Sequence, residues 1–254
     1  MTDARDDTPQ PAFILVRPQM GENIGAAARA MWNFGLARMR VVAPRDGWPN
    51  PRAVALASGA GRLLDHAGLF EDVPAAIGDC TYVFATTARP RGMTMPVVTP
   101  ERAMVQARAM LAAGGKVAVL FGPERAGLEN TDIARANAII SVPVNPDFAS
   151  LNLAQCVLLC AYEFRRAGDD TPPEVMELAG TDFATGAEIA ALGDHIEARL
   201  EEAGFFFPAT RAEQMRRSLR QIWGRLPLTR ADVQTLHGMF RQMVRWAEGK
   251  RRDP

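Results

Sequence analysis

The sequence predicts an α/β domain on a parallel sheet, followed by a small all-helical extension. Two observations carry this reading. Short apolar runs of strand length alternate with segments of helical period up to residue 167. The alternation then stops at GDDTPPEVMELAG (168–180), which has two prolines, four acids and no strand signal and so reads as a linker. The boundaries that follow are a disordered start (1–10), an α/β domain (11–167), a linker (168–181) and a helical extension (182–254).

Taken in order, the strands are AFILV (12–16), MRVV (39–42), TYVFAT (81–86), KVAVLFG (116–122) and AIISVPV (138–144). Helices are expected from Asn23 to Phe34, Pro51 to Ala57, Asp72 to Ile77, Pro100 to Ala112, briefly after Asn130, and from Ser150, a good N-cap, to Arg166. In the extension, Thr185 with Glu188 and Thr210 with Glu213 spell the Thr-x-x-Glu capping box, and Thr229 with Asp232 is a weaker version. Gly204 and Gly224 stand where the first two of three helices should stop.

A chain of 254 residues that is 48% apolar can bury a full core. It contains no apolar stretch of membrane-spanning length, and the opening MTDARDDTPQ is polar and acidic where a signal peptide is basic and then apolar. A cytoplasmic protein with no membrane partner is expected. Cys80, Cys156 and Cys160 read as core thiols, the last two sharing one helix face. His66, His195 and His237 are scattered along the sequence with no ligand spacing, so no metal is expected. Net charge is zero, yet residues 205–254 hold eleven Lys or Arg against four Asp or Glu. Such a tail suits a phosphate-binding appendage, or is merely the compositional habit of a chain with only Lys116 and Lys250 as lysines.

Three segments carry chemistry. RPQMGENIGAAARAMWNFGL (17–36) runs a strand into a Gly-containing turn and a small-residue helix. Gly21 and Gly25 give only G-x-x-x-G, with no acid at the end of the next strand, which argues against a dinucleotide-binding oxidoreductase. VLFGPERAGLEN (119–130) is a strand entering a charged, Gly-rich loop, and VPVNPDFASLNLAQ (142–155) leads from a strand to a helix. In open α/β sheets ligands bind beyond the carboxyl ends of strands, so the three can converge on one site.

N-I-G-x-x-x-R at 23–29, F-G-x-E-x-x-G-L at 121–128 and P-x-x-x-S-L-N at 146–152 resemble, in order and spacing, the three signature motifs of the SPOUT 2′-O-ribose methyltransferases of the TrmH superfamily. The tail from 204 to 246 is similar to the helical extension of the members that act on tRNA cytidine and uridine. The resemblance implies helices on both faces of the sheet, a deep trefoil knot at the carboxyl end of the α/β domain, and a homodimer. It implies S-adenosyl-L-methionine as cofactor and tRNA as partner, with the ribose 2′-hydroxyl at position 32 of the anticodon loop as target. By position, Thr86, Thr87, Ala88, Gly122, Val142, Ser150 and Leu151 match the cofactor-lining residues. Arg29, Asn23, Glu124, Ser150 and Asn152 match the catalytic set, with Arg29 acting on the partner's site. As a base an arginine is chemically awkward, so stabilising phosphate or alkoxide charge is the preferred role. Ser150 serves equally as a cap.

The small face GAAARA (25–30) and the apolar run 151–162 suit the implied dimer seam. Arg89 and Arg91 on the loop beside the cofactor, and Arg216, Arg217, Arg220, Arg241 and Arg245 projecting from the tail helices, are the expected RNA contacts. Another tRNA or ribosomal RNA ribose as target, and a catalytically idle RNA-binding homologue, remain open at this stage.

Overall fold

The computed structural model describes residues 9–88 and 92–249. The chain divides into two compact units, Met1–Thr171 and Pro172–Pro254. The first unit is built on seven parallel strands: β1 (Ala12–Val16), β2 (Met39–Val42), β3 (Gly68–Phe70), β4 (Tyr82–Thr86), β5 (Val97–Val98), β6 (Val117–Phe121) and β7 (Ala138–Ile140). Their order is β3-β2-β1-β6-β4-β7-β5. The central strands are apolar on both faces, as a sheet covered on both sides requires.

Strand alternation sorts the core into two layers. Phe13, Leu15, Val119 and Phe121 point to a layer shared with α1 (Gly21–Asn33), α2 (Pro51–Ala57), α3 (Gly61–Asp65), α5 (Pro100–Ala112) and α7 (Leu153–Arg166). Ile14, Val16, Ala118 and Leu120 point to the other, with α4 (Val73–Ile77) and α6 (Asn130–Ile133). Helices therefore cover both faces, which is the α/β class read from the sequence.

Several expectations change in detail. The run 138–144 is a strand only to Ile140, because the chain must leave the sheet early to form the loop that reaches α7. Ser150 does not cap α7. The helix begins at Leu153, with Asn152 as N-cap: its Oδ1 accepts from Ala154 N at 2.8 Å and its own N–H donates to Gln155 Oε1 at 3.2 Å. The edge strands β3 and β5, of three and two residues, have no alternation long enough to read. Residues 1–8 of the expected disordered start lie outside the described residues. Gln10 at its end is buried, with Oε1 accepting from Ala37 N at 2.6 Å.

The small-residue face of α1 meets α2 and α7 of its own chain. A Cβ on Gly25 would lie 2.2 Å from Ala53 O, so only glycine permits this approach, and Ala27, Ala28 and Ala30 are buried. The GAAARA pattern is thus consumed inside the protomer and does not itself mark a dimer seam.

The second unit holds α8 (Gly186–Glu202), α9 (Ala209–Gly224) and α10 (Arg230–Ala247) around Leu192, Ile196 and Val233. Thr185–Glu188 and Thr229–Asp232 form complete capping boxes. The expected box at Thr210 does not form, because α9 starts two residues earlier than that cap requires, after Pro208, and Thr210 lies within its first turn. Gly204 follows α8 at φ +70°, the left-handed conformation that stops a helix.

Candidate active site

The loops that leave the carboxyl ends of β4, β6 and β7 surround one cleft of about 210 Å³. Its walls are Thr86–Ala88, Phe121–Gly127, Ile140, Val142, Val144, Ala149–Leu151, Leu153 and Cys156. All seven positions matched to the cofactor, Thr86, Thr87, Ala88, Gly122, Val142, Ser150 and Leu151, are on that wall. Thr86 is held by its hydroxyl, which donates to Leu120 O at 2.9 Å. At Gly122 a Cβ would fall 2.2 Å from Leu128 N and 2.5 Å from the Gly127 carbonyl carbon, so this loop can fold back on itself only with glycine there.

Beside the cleft the three motifs join in one hydrogen-bonded chain. Asn152 Nδ2 donates to Asn23 Oδ1 at 2.9 Å, and Asn23 Nδ2 donates to Glu124 Oε1 at 2.8 Å. Glu124 also accepts from the backbone N–H of Gln19 at 2.9 Å and of Met20 at 3.2 Å, where α1 begins. Its carboxylate thus takes up free donors at a helix N-terminus, where negative charge is stabilised. Asn23 is 9% exposed, and its amide is spent on its two neighbours in the chain.

Arg29 lies two turns along α1, exposed and outside the cleft wall. Ser150 is exposed on the wall, and the cap of α7 is Asn152. Of the three expected core thiols only Cys160 is fully buried. Cys156 lines the cleft, and Cys80 is half-exposed between Arg40 and Asp79. The Cys160 thiol is pushed well up by its hydrogen bond with Cys156 and by burial.

Arg89 and Arg91 lie outside the described residues. In the helical unit Arg216 and Arg220 do not project away as expected. Arg216 pairs with Glu201 and lies 4.5 Å over the Phe206 ring, while Arg220 contacts Glu197 at 2.6 Å and Asp194 at 3.1 Å. The physical reason is an acidic row on α8 that matches the basic row of α9. Arg217 pairs with Glu213 at 3.3 Å, whereas Arg241 and Arg245 make no ion pair among the described residues. His195 and His237, distant in sequence, meet with Nδ1 atoms 2.9 Å apart. Among the described residues no group of three or more His, Cys, Asp or Glu is placed to hold a metal ion.

Sequence reasoning missed Arg125 and Cys156 on the cleft wall. For Arg125 a signal existed, a cation inside the Gly-rich FGPERAG loop; for Cys156 the apolar run hid it.

Residues 10–162 match the SpoU rRNA Methylase family, and residues 187–252 match the C-terminal domain of the tRNA methyltransferase TrmJ. The tRNA (cytidine/uridine/adenosine-2′-O-)-methyltransferase TrmJ of Pseudomonas aeruginosa is 35% identical over 93% of this chain and 94% of its own. The tRNA (cytidine/uridine-2′-O-)-methyltransferase TrmJ of Photorhabdus laumondii is 31% identical over 93% and 97%. The crystal structure of TrmJ from Z. mobilis superposes with a TM-score of 0.81 at 48% identity, covering 92% of this chain and 99% of that one.

Proposed function

The chain belongs to the SpoU rRNA Methylase family, and from that premise we propose that it methylates a ribose 2′-hydroxyl of tRNA, at cytidine or uridine 32 of the anticodon loop, with S-adenosylmethionine as donor. The observation that carries this reading is the chain Asn152–Asn23–Glu124, which ties the first motif to the wall of the cleft built by the other two. Two relatives similar over nearly their whole length are named tRNA 2′-O-methyltransferases of cytidine and uridine, one of them also of adenosine.

The cleft suits the cofactor chemically. Phe121, Ile140, Val142, Leu151 and Leu153 give an apolar slot for a flat base, and Thr86, Thr87, Ser150 and loop backbone give polar partners at its edge. When bound, S-adenosylmethionine supplies an electrophilic methyl group on a positively charged sulfur. Thr86–Ala88, Gly122, Val142, Ser150 and Leu151 are the residues that would hold it.

The protein's own task is to align the ribose oxygen and to assist loss of its proton. Alignment alone lowers a barrier by roughly 7–11 kcal/mol. Glu124 and Asn23 fix the start of α1, and so the position of Arg29 on that helix. Arginine is permanently cationic in proteins, so Arg29 grips the target phosphate and stabilises negative charge developing on the ribose oxygen. Because Arg29 lies outside its own cleft, it serves the cleft of a second copy in a homodimer. Exposed Leu158 and Tyr162 on α7 and Trp32 on α1 supply the apolar seam. The trefoil knot of the class, a catalytic domain over 11–167, a tRNA-binding extension over 182–254 and a cytoplasmic site of action belong to the same reading.

The deciding experiment incubates the full chain with S-adenosylmethionine and tRNA and follows the nucleosides by mass spectrometry. A gain of 2′-O-methylcytidine or 2′-O-methyluridine at one anticodon-loop position is expected. Methylation on a base, or none on any tRNA, overturns the reading.

A further inference from the structure

Between β7 and α7 the chain makes a tight 3₁₀ turn, Pro146–Phe148. Asn145 fastens it twice, its Oδ1 accepting from Asp147 N at 3.1 Å and its carbonyl accepting from Phe148 N at 3.0 Å. Pro146 fixes its own φ, so the turn has little freedom to fold the Phe148 ring away. That ring stands 76% exposed. The next three residues, Ala149, Ser150 and Leu151, line the cleft. An aromatic ring is thus held in water at the rim of the site by a braced turn, where a mobile loop would let it collapse onto apolar surface.

The same cleft carries a cation. Arg125 lies on its wall, is exposed, and has no ion pair among the described residues. An exposed ring on the turn that leads into the cleft wall, and an unspent guanidinium on that wall, match the two faces of a single-stranded nucleotide, a flat base and a charged phosphate. A protein partner would call for a continuous apolar patch there. Duplex RNA presents no open base face to stack upon.

We infer that Phe148 is a stacking platform for an unpaired nucleobase next to the methylated ribose, and that Arg125 binds a phosphate of the same strand. This rests on the tRNA reading above and adds a specificity-determining pair to it. The base, clamped against the ring, fixes the sugar edge that enters the cleft. Phe148 acts by contact with the RNA and has no part in holding the cofactor.

The test uses the full chain with tRNA, and also with an anticodon stem-loop carrying 2-aminopurine beside the target. Phe148→Ala should lower kcat/KM for tRNA by about 5- to 150-fold, the range of one lost base stack. Phe148→Trp should keep most of the activity and Phe148→Leu should not, because stacking needs a ring rather than mere apolar bulk. Binding of wild type should quench the 2-aminopurine, and the alanine variant should not. Arg125→Gln should weaken tRNA binding and flatten its salt dependence by a slope of about 0.7. Affinity for S-adenosylmethionine should stay unchanged in the three Phe148 variants.

The proposal falls if Phe148→Ala stays within twofold of wild type, or if the leucine and tryptophan variants behave alike. It falls equally if Phe148→Ala turns a dimer into a monomer in sedimentation, or if Arg125→Gln weakens the cofactor and not the RNA. Quenching by a wild type that transfers no methyl to tRNA would sink the methylation reading and leave the stacking contact standing.

Discussion

The side-chain amide of Asn152 donates to the side-chain oxygen of Asn23 at 2.9 Å, joining positions 129 residues apart. Asn23 in turn donates to Glu124, so the start of α1 is fastened to the cleft by one row of side chains. Such a row is cooperative, and each member leaves its neighbours unpaired when removed. Asn23→Ala should therefore destabilise the protein by about 1–3 kcal/mol. Combined with Glu124→Gln in a double-mutant cycle, it should show a coupling of about 0.5–3 kcal/mol. Urea unfolding of the four proteins measures both. Strict additivity would mean the two residues act separately.

Arg29 sits on the helix that this row positions, exposed and away from the cleft wall of its own chain. Arg29→Ala should cut turnover by about 10²- to 10³-fold, as loss of one charge-stabilising donor does. Cofactor affinity should stay within a few-fold of wild type, because the arginine does not line the cofactor cleft. Arg29→Lys should fail too, since a compact ammonium lacks the planar fork. Single-turnover kinetics and calorimetry of S-adenosylmethionine binding give the two readouts. A tenfold loss of cofactor affinity would place Arg29 in the wrong cleft.

How much of this was legible in the sequence depends on whether the signal was local. The central strands and the long helices announce themselves by period, and the motif spacing pointed to Asn23, Glu124, Asn152 and the cleft-lining positions. Edge strands of two or three residues carry no period, so β3 and β5 were invisible. Pairings between distant side chains were invisible as well. The acidic row of α8 captures Arg216 and Arg220, and His195 meets His237 only because α8 packs on α10. Ser150 looked like a cap because serine caps well, but Asn152, two residues on, is the cap and accepts from Ala154 N instead.

The histidine pair makes the helical unit sensitive to acid. A 2.9 Å contact between two Nδ1 atoms needs one donor and one acceptor, hence at least one neutral ring. Burial, then the nearby charges of His237, Arg199 and Arg241, hold the His195 pKa below its ordinary value. The unfolded chain takes up the proton near pH 6.5 while the folded one resists it. Stability is therefore complete above about pH 6.5, declines as the pH falls below that value, and levels off once the folded state is protonated too. Urea unfolding followed by helical circular dichroism should show this decline between pH 8 and pH 5. In His195→Gln most of the decline should vanish. An equally steep decline in that variant would mean other groups carry it.

The arginines of the extension should divide into two classes that salt dependence can separate. Arg216 and Arg220 already face Glu201, Glu197 and Asp194 of α8, so an RNA phosphate would have to displace a carboxylate to reach them. Arg241 and Arg245, one turn apart on α10, make no ion pair among the described residues, and Arg241 donates only to the His237 carbonyl at 3.2 Å, so neither has a carboxylate to give up. Neutralising both as Arg241→Gln and Arg245→Gln should weaken tRNA binding and reduce the slope of log affinity against log salt by about 0.7–0.9 per lost contact. Neutralising Arg216 and Arg220 should leave that slope nearly unchanged. It should instead cost the α8–α9 contact about 0–1 kcal/mol per exposed pair. Filter binding at several salt concentrations, with thermal melts of the same variants, makes the comparison. Equal slope changes from the two pairs would show that the α8 carboxylates release their arginines to RNA, and that ion pairing in the free protein does not decide which cations bind.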